Sequence, residues 1–383
     1  NNLMTIYIET NTKIGMNMNK GEILYIGMAT IDVSIGNSTV YETFSKLDDK
    51  NLALDEAFRF IQTHDPKEIV VYLNNCHISE NEIAKYLELH NRVVHFKSKV
   101  EPHIFNIQYQ KTFLEKVYQN KGMLSVIEYL DLEFKTYGTL AFILALEFAY
   151  KHNETIIKKM EKPTIWDENK YLILTNNSIN QLNIVSHHTQ NSSAKFNSLF
   201  AVLNNTSTSI GKRKLKDTLL NPIINPTELE SRYDLIEMFS SNNPETNEPY
   251  YKSFETYLNK IMDIERLHRK ISLGLLQPAD FVGLDISYEN IIQLSTIFPE
   301  SIHDLKPSLK PPKEVFALFY EFIKDYKRQF DMDEICKYHL DKINNSFFNG
   351  GNHPEIDTIK NKIDNDLKLF DIIAEKLTHL IDS

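Results

Sequence analysis

The chain has 383 residues, 42% hydrophobic and 25% charged, with only 11 Gly and 13 Pro, which excludes a single small module and a disordered or fibrous polypeptide. Forty-two Lys and Arg against 52 Asp and Glu leave a net charge of −10, which opposes general attraction to phosphate backbones and anionic membranes while leaving room for a local basic patch. At about 150 residues per domain there is space for two or three domains. Two cysteines, Cys76 and Cys336, cannot build a disulfide framework, a usage that belongs to a cytosolic or nuclear chain. The longest apolar run, Leu140–Ala149, is interrupted by Glu147 and is about half of the ~20 residues that cross a bilayer. The start, Asn1-Asn2-Leu3-Met4, lacks an initiator Met and the features of a signal peptide, which points to a piece of something longer.

Residues 1–105 alternate strand-like and helix-like segments. Between Glu22 and Ser34, Ile23, Tyr25, Ala29, Ile31 and Val33 fall on one side of a period-2 pattern and Leu24, Ile26 and Met28 on the other, so this strand is covered on both faces. Ile35-Gly36-Asn37-Ser38 supplies a tight turn, and Thr39–Ser45 returns as the second strand of a hairpin. Leu54, Ala57, Phe58 and Ile61 share one stripe of a helix over Leu52–Thr63, which Pro66 separates from a short strand at Glu68–Leu73. Ser79 with Glu82 forms a capping-box pattern for a helix over Glu80–His90, and a strand follows at Arg92–Phe96. The order β-β-α-β-α-β predicts a mixed sheet with helices packed on it.

Residues 106–383 read as helices: Gln110–Gln119, Leu124–Leu132 and Thr139–His152 are apolar at i, i+3, i+4 spacing. Tyr171–Thr175 and Ile179–Val185 are expected to pair as a hairpin turned by Asn176-Asn177-Ser178. Helices then resume at Ser198–Leu203 and at Ser209–Leu220, the latter stopped by Asn221-Pro222. Thr227 with Glu230 suggests a second capping box, opening a helix through Phe239 with Leu229, Tyr233, Ile236 and Phe239 inward. One long helix is predicted over Tyr251–Leu273, and others over Asp280–Ile297, Lys313–Phe330 and Pro354–Ile381. The fold class is therefore α/β plus all-α.

No GxxxxGK[ST], GxGxxG or GxSxG loop is present, so the chain has no sequence for cradling nucleotide phosphates in those manners. Cys336 with His339, and the pair His187-His188, lack further ligands at zinc-site spacing, and no metal is expected. Asp32, Glu42, Asp55 and Glu56 are acids that a sheet of this order could gather around Mg²⁺, as in RNase H-like nucleases, although a turn-closing Asp32 and solvated neighbours are the simpler reading. The run Gly211–Lys216 carries four cations in six residues. Lys212, Lys214 and Lys216 are candidate phosphate contacts there, against a solvated or ion-paired face, since cations at a helix start oppose its dipole.

From Ser198 onward, SLFAVLNNTSTSIGKRKLKDTLLNPIINPTELESRYDLIEMF closely resembles the core-domain signature of the MutS mismatch-repair family. Thr206, Thr208, Gly211, Arg213, Leu215, Leu219, Pro222 and Arg232 stand at matching positions. The stretch KIMDIERLHRKISLGLLQPADFVGL is similar to the family's DLERxxxR…PxDL segment through Asp263, Glu265, Arg266, Pro278 and Asp280, and Gly351–Asp357 resembles the start of its lever helix. Upstream, YIGMATIDVSIGN resembles the family's connector domain, an RNase H-like sheet without nuclease function. There are departures: Thr218 replaces the usual Trp, Asn204 replaces an acid, and no acid stands near Thr175. The resemblance implies an RNase H-like connector over residues 1–105 and an elongated helical core/lever over 106–383, with about 354–383 leading toward a clamp. The departures suggest a divergent member, and the richness in Asn, Ile and Lys fits an AT-rich genome, viral or organellar.

On this resemblance the chain couples ATPase state to DNA grip without performing a reaction, and the motif residues set angles between helices, with Arg213 and Arg232 as buried forks. It holds no cofactor, while the full-length parent is a DNA-dependent ATPase using ATP and Mg. Implied partners are mismatched double-stranded DNA through the parent, a MutL-like protein at the connector, and a second subunit, homo- or heterodimeric; the setting is intracellular, with DNA. The competing readings are an RNase H-like Mg-dependent nuclease with a helical accessory domain, and a pure docking module for the MutL-like partner.

Overall fold

The computed structural model describes residues 2–14, 20–118, 122–167, 170–172, 174, 176–185, 196–244, 246–298, 312–339, 342–343 and 346–381. The chain divides into two compact bodies, Asn1–Tyr233 with His268–Gly274, and Asp234–Leu267 with Leu275–Ser383.

The first body is built on a six-stranded sheet of β1 (Asn2–Ile14), β2 (Lys20–Asp32), β3 (Asn37–Phe44), β4 (Glu68–Asn74), β5 (Val93–Lys97) and β6 (Thr164–Ile165). Their spatial order is β5-β4-β1-β2-β3-β6. β2 runs antiparallel to β1 and β3, whereas β4 is parallel to β1, β5 to β4 and β6 to β3. The hairpin turns at Gly36, whose φ of +81° suits a residue without Cβ. β1 is absent from the sequence-based order because it is central: Leu3, Met4, Ile6, Tyr7 and Ile8 are all buried, so no apolar-polar alternation marks it.

Each face of the sheet carries its own helices. On one, Tyr7, Ala29, Ile31 and Val40 pack against α3 (Ile107–Val117), α4 (Val126–Tyr129) and above all α5 (Thr136–His152). The apolar run at Leu140–Ala149 is thus a core helix, hydrophobic almost all round because it is almost wholly enclosed. It lies so close to β2 that a Cβ on Gly27 would sit 1.9 Å from Tyr137 O. On the other face Met4, Ile6, Ile26, Met28 and Val71 meet α1 (Leu52–His64) and α2 (Glu80–Tyr86), the latter started by the expected Ser79–Glu82 capping box. The boundary expected near residue 105 falls inside this body, because α5 must cover the sheet and β6 must pair with β3.

Three local expectations are corrected. The hairpin over 171–185 is replaced by α6 (Asn176–Gln181); Tyr171 instead bridges to Ile223, and Leu174, Ile179 and Ile184 bury against the α1 side of the sheet. Ile173 and Thr175 lie outside the described residues. The helix expected over Tyr251–Leu273 is broken into α10 (Tyr250–Leu258) and α11 (Ile264–Leu273). Met262 causes the break through tertiary contacts: its N–H donates to Ser287 Oγ at 3.0 Å, and its sulfur fills the space left by Gly283, where a Cβ would lie 2.1 Å away. In α9 (Pro226–Ser240), Tyr233 and Ile236 are 62% and 63% exposed rather than inward. The expected inward stripe fails there because periodicity alone does not choose between overlapping apolar stripes.

The second body is helical. Its core gathers Leu267, Leu284, Tyr288, Ile323 and Tyr326 from α11, α12 (Pro278–Ile297) and α13 (Lys313–Gln329). α10, α14 (Met332–Ile335) and the long α15 (Pro354–Ile381) also belong to this body. No helix among the described residues is long and apolar enough to cross a membrane.

Candidate functional site

The motif segment forms α7 (Leu199–Leu203), α8 (Ser209–Leu220) and the start of α9. Each start is fixed by a side chain: Ser198 Oγ accepts from Ala201 N at 3.1 Å, Thr208 Oγ1 from Gly211 N at 3.0 Å, and Asn225 Oδ1 from Thr227 N at 3.0 Å. Thr227 itself lies inside the helix, so Asn225 is the cap that the sequence reading placed two residues later. A Cβ on Gly211 would stand 3.0 Å from Thr208 Oγ1, so glycine there allows the tight cap. Thr206 donates to Asn204 Oδ1 at 2.8 Å, and Pro222 O accepts from Leu172 N at 2.7 Å.

α8 is seated on the sheet body at the end of α1. Leu219 and the fully buried Leu220 join the core on that face, and Leu215 is half-buried. Asn221 Oδ1 lies 3.3 Å from Thr63 Oγ1. Lys216 Nζ donates to Asp65 Oδ2 at 2.9 Å, while Arg92 Nη1 donates to Asp65 Oδ1 at 2.9 Å and to Pro66 O at 2.7 Å. Asp65 ends α1 in the left-handed region at φ 43°, a conformation that Asp and Asn tolerate better than most residues. Burial pushes the Asp65 carboxyl up, but Lys216 and Arg92 outweigh it and hold its pKa down at about 2.

This geometry sorts the predicted residues. Lys216 is engaged by Asp65 and Lys214 by Asp217 at 2.7 Å, whereas Lys212 is exposed. Arg213 is half-buried, and Arg232 pairs with Glu228 of its own helix at 2.9 Å with 32% of its side chain exposed. Neither is the fully buried fork expected. Among the described residues, Arg59, paired with Glu56, and Arg269 are enclosed, and the Arg92 side chain at Asp65 is 7% exposed. Arg269 donates at 2.8 Å to Ile156 O, Lys158 O and Lys159 O, and its guanidinium lies over Gly36. Nothing in the sequence singles it out, because main-chain carbonyls carry no residue signature. Asp65 was similarly missed, although an Asp-Pro pair after a helix is a stop signal.

In α11 Arg266 Nε lies 3.3 Å from Asp263 Oδ2 and Glu265 is exposed. Asp280 accepts from Gln277 N at 3.4 Å beside Pro278, a reciprocal cap of α12. Gly351, at φ +90°, donates to Asp357 Oδ2 at 2.9 Å just ahead of α15.

The four acids of the nuclease reading are not gathered. Asp32 accepts from Ser34 N and Oγ, closing the hairpin; Glu42 accepts from Tyr137 N and Gly138 N, capping α5; Asp55 accepts from Tyr86 OH; Glu56 holds Arg59 and Tyr41. Among the described residues no group of three His, Cys, Asp or Glu is placed to hold a metal ion. His187 and His188 lie outside the described residues.

Residues 177–371, just over half of the chain, match the family model for MutS domain III. The chain belongs to the MutS family. It is 33% identical over 95% of its length to a putative DNA mismatch repair protein MutS homolog of Acanthamoeba polyphaga mimivirus, covering 34% of that protein. It is 27% identical over 78% of its length to the DNA mismatch repair protein MutS of Caldanaerobacter subterraneus, covering 32% of it, and 30% identical over 48% to that of Thermosipho melanesiensis, covering 21%. The chain therefore spans about a third or less of the length of these curated MutS relatives.

Proposed function

We propose that this MutS-family chain is the connector and core/lever part of a DNA mismatch-repair ATPase, passing nucleotide state at one end to DNA grip at the other and performing no reaction itself. The observation that carries this reading is the seating of α8 on the sheet: Lys216–Asp65–Arg92, Asn221–Thr63 and Leu220 use the motif's chemistry to set backbone directions. Thr206, Thr208, Gly211, Arg213, Leu215, Pro222 and Arg232, with Asp263, Glu265 and Arg266 of α11, are positioning residues in this role. A strand order β3-β2-β1-β4-β5 with β2 alone reversed supports an RNase H-like connector, whose acids are taken up in turns, caps and a buried pair.

On this reading ATP and Mg act in the ATPase part of the longer protein, which meets mismatched duplex DNA, a MutL-like protein at the sheet domain and a second subunit, inside the cell. Lys212 is the cation of the motif that remains as a candidate phosphate contact. The test is an ATPase assay and a filter-binding titration on this chain. No hydrolysis and weak, salt-sensitive binding are expected; nanomolar affinity for a mismatched duplex at physiological salt would overturn the reading. In the longer protein, Asp65→Asn should weaken ATP-triggered release of mismatched DNA more than it lowers basal hydrolysis.

A further inference from the structure

The second body contains a cavity of about 650 Å³ lined by α10, α12, α13 and Lys260, within the roughly 300–1,000 Å³ of ordinary small-molecule sites. Ile292 and the buried Ile323 give it an apolar surface, and Tyr257 and Tyr320 add aromatic rings. Asn290, only 8% exposed, also lines it. Its amide nitrogen donates to Ile286 O at 2.7 Å, which leaves the carboxamide oxygen as an acceptor without a partner among the described residues.

The charges decide what such a cavity takes. Three ammonium groups line it, Lys260, Lys324 and Lys327, against the single carboxylate of Glu289. Lys327 is occupied, pairing with Asp285 at 3.1 Å and with Glu289. Lys260 and Lys324 have no ion-pair partner among the described residues. In a chain where 52 acids face 42 cations, two ammoniums without an ion-pair partner among the described residues invert the charge lining this cavity and favour an anion there. Ammonium groups are effective point charges for phosphate, tyrosine rings offer faces to a planar group, and carboxamides hydrogen-bond the edge of a base.

We propose that this cavity binds a phosphate-bearing ligand of nucleotide chemistry, with Lys260 and Lys324 holding the phosphate, Asn290 and Gln293 reading the base, and Tyr257 or Tyr320 offering it a ring face. The nucleotide arrives either free or as part of a single strand, and these sources separate experimentally.

The test is calorimetric titration of the 383-residue chain at low salt with AMP, adenosine, inorganic phosphate, a short single-stranded oligodeoxynucleotide and a glutamate-rich peptide. AMP is expected to bind, with adenosine and inorganic phosphate each at least tenfold weaker. The double variant K260E/K324E should weaken AMP at least tenfold while the thermal melt of the chain stays in place. A neutral double variant, K260Q/K324Q, should show a smaller loss in the same direction and guards against misfolding from charge reversal. Binding of the oligonucleotide but not AMP, lost in both double variants, assigns the site to a strand and supports the proposal. It is overturned by the absence of binding to any phosphate compound, by affinities unchanged in both double variants, or by preference for the acidic peptide. The proposed coupling role does not use this cavity, so failure here leaves that role intact.

Discussion

Arg269 shows how far a single side chain reaches in this fold. Its guanidinium, 5% exposed, satisfies three main-chain carbonyls around Lys159, itself at a φ of 50°. Arg269→Ala should destabilise the first body by about 3 kcal/mol, and Arg269→Lys by less, since an ammonium cannot reproduce the planar fork; urea unfolding measures both. His64 offers a second test. It is packed against Phe60 and Trp166, and burial lowers its pKa to about 4 despite a bond to Phe60 O. Between about pH 6.5 and 4 the unfolded chain takes up a proton there that the folded chain refuses, so stability falls as pH falls across that window. Trp166 is the chain's one tryptophan, which makes its fluorescence the natural readout of urea titrations at several pH values. His64→Gln should flatten the slope between pH 6.5 and 4.

At the level of elements, close approach and charge seat the helices. α5 rests on β2 where Gly27 leaves room for Tyr137 O, so Gly27→Ala must push backbone away from backbone and should cost roughly 3 kcal/mol or more in thermal or urea unfolding. Seating of α8 depends on the Asp65 carboxylate. Asp65→Asn keeps the left-handed turn while deleting the charge, and should destabilise by about 1–2 kcal/mol with loss of the Lys216 and Arg92 pairs. Because the folded carboxyl titrates at about 2, below its ordinary value of 3.8, its contribution is present above about pH 4 and disappears as pH falls toward 2. That window lies below the one set by His64, so the same titration separates them.

For the molecule as a whole, the net charge of −10 and the capture of Lys214 and Lys216 by Asp217 and Asp65 leave little positive surface in the motif. Binding of this chain to duplex DNA should therefore be weak and salt-sensitive, with a slope set by about one or two phosphate contacts. If Lys212 makes one of them, Lys212→Gln reduces the slope of log Kobs against log salt by about 0.9. A steep slope unaffected by that substitution would place the DNA contact elsewhere.

Much of this was legible without coordinates because its physics is local. The Ser79–Glu82 box, the stop at Asn221-Pro222 and the turn at Gly36 each follow from a few neighbouring residues. The motif from Ser198 likewise marked the family. What lay beyond local reading shares one cause: the deciding partner is distant in sequence. β1 hides its period because both faces are covered. The helix break at Met262 depends on Gly283 and Ser287, the hairpin at 171–185 gave way to burial against α1, and Lys216 became a strut only through Asp65, 151 residues away. Periodicity and caps determined which segments are helix or strand and what family they resemble. Which charges hold the chain together, and which remain to meet a ligand, was decided by packing, because an ion pair or a cavity exists only once remote segments are brought side by side.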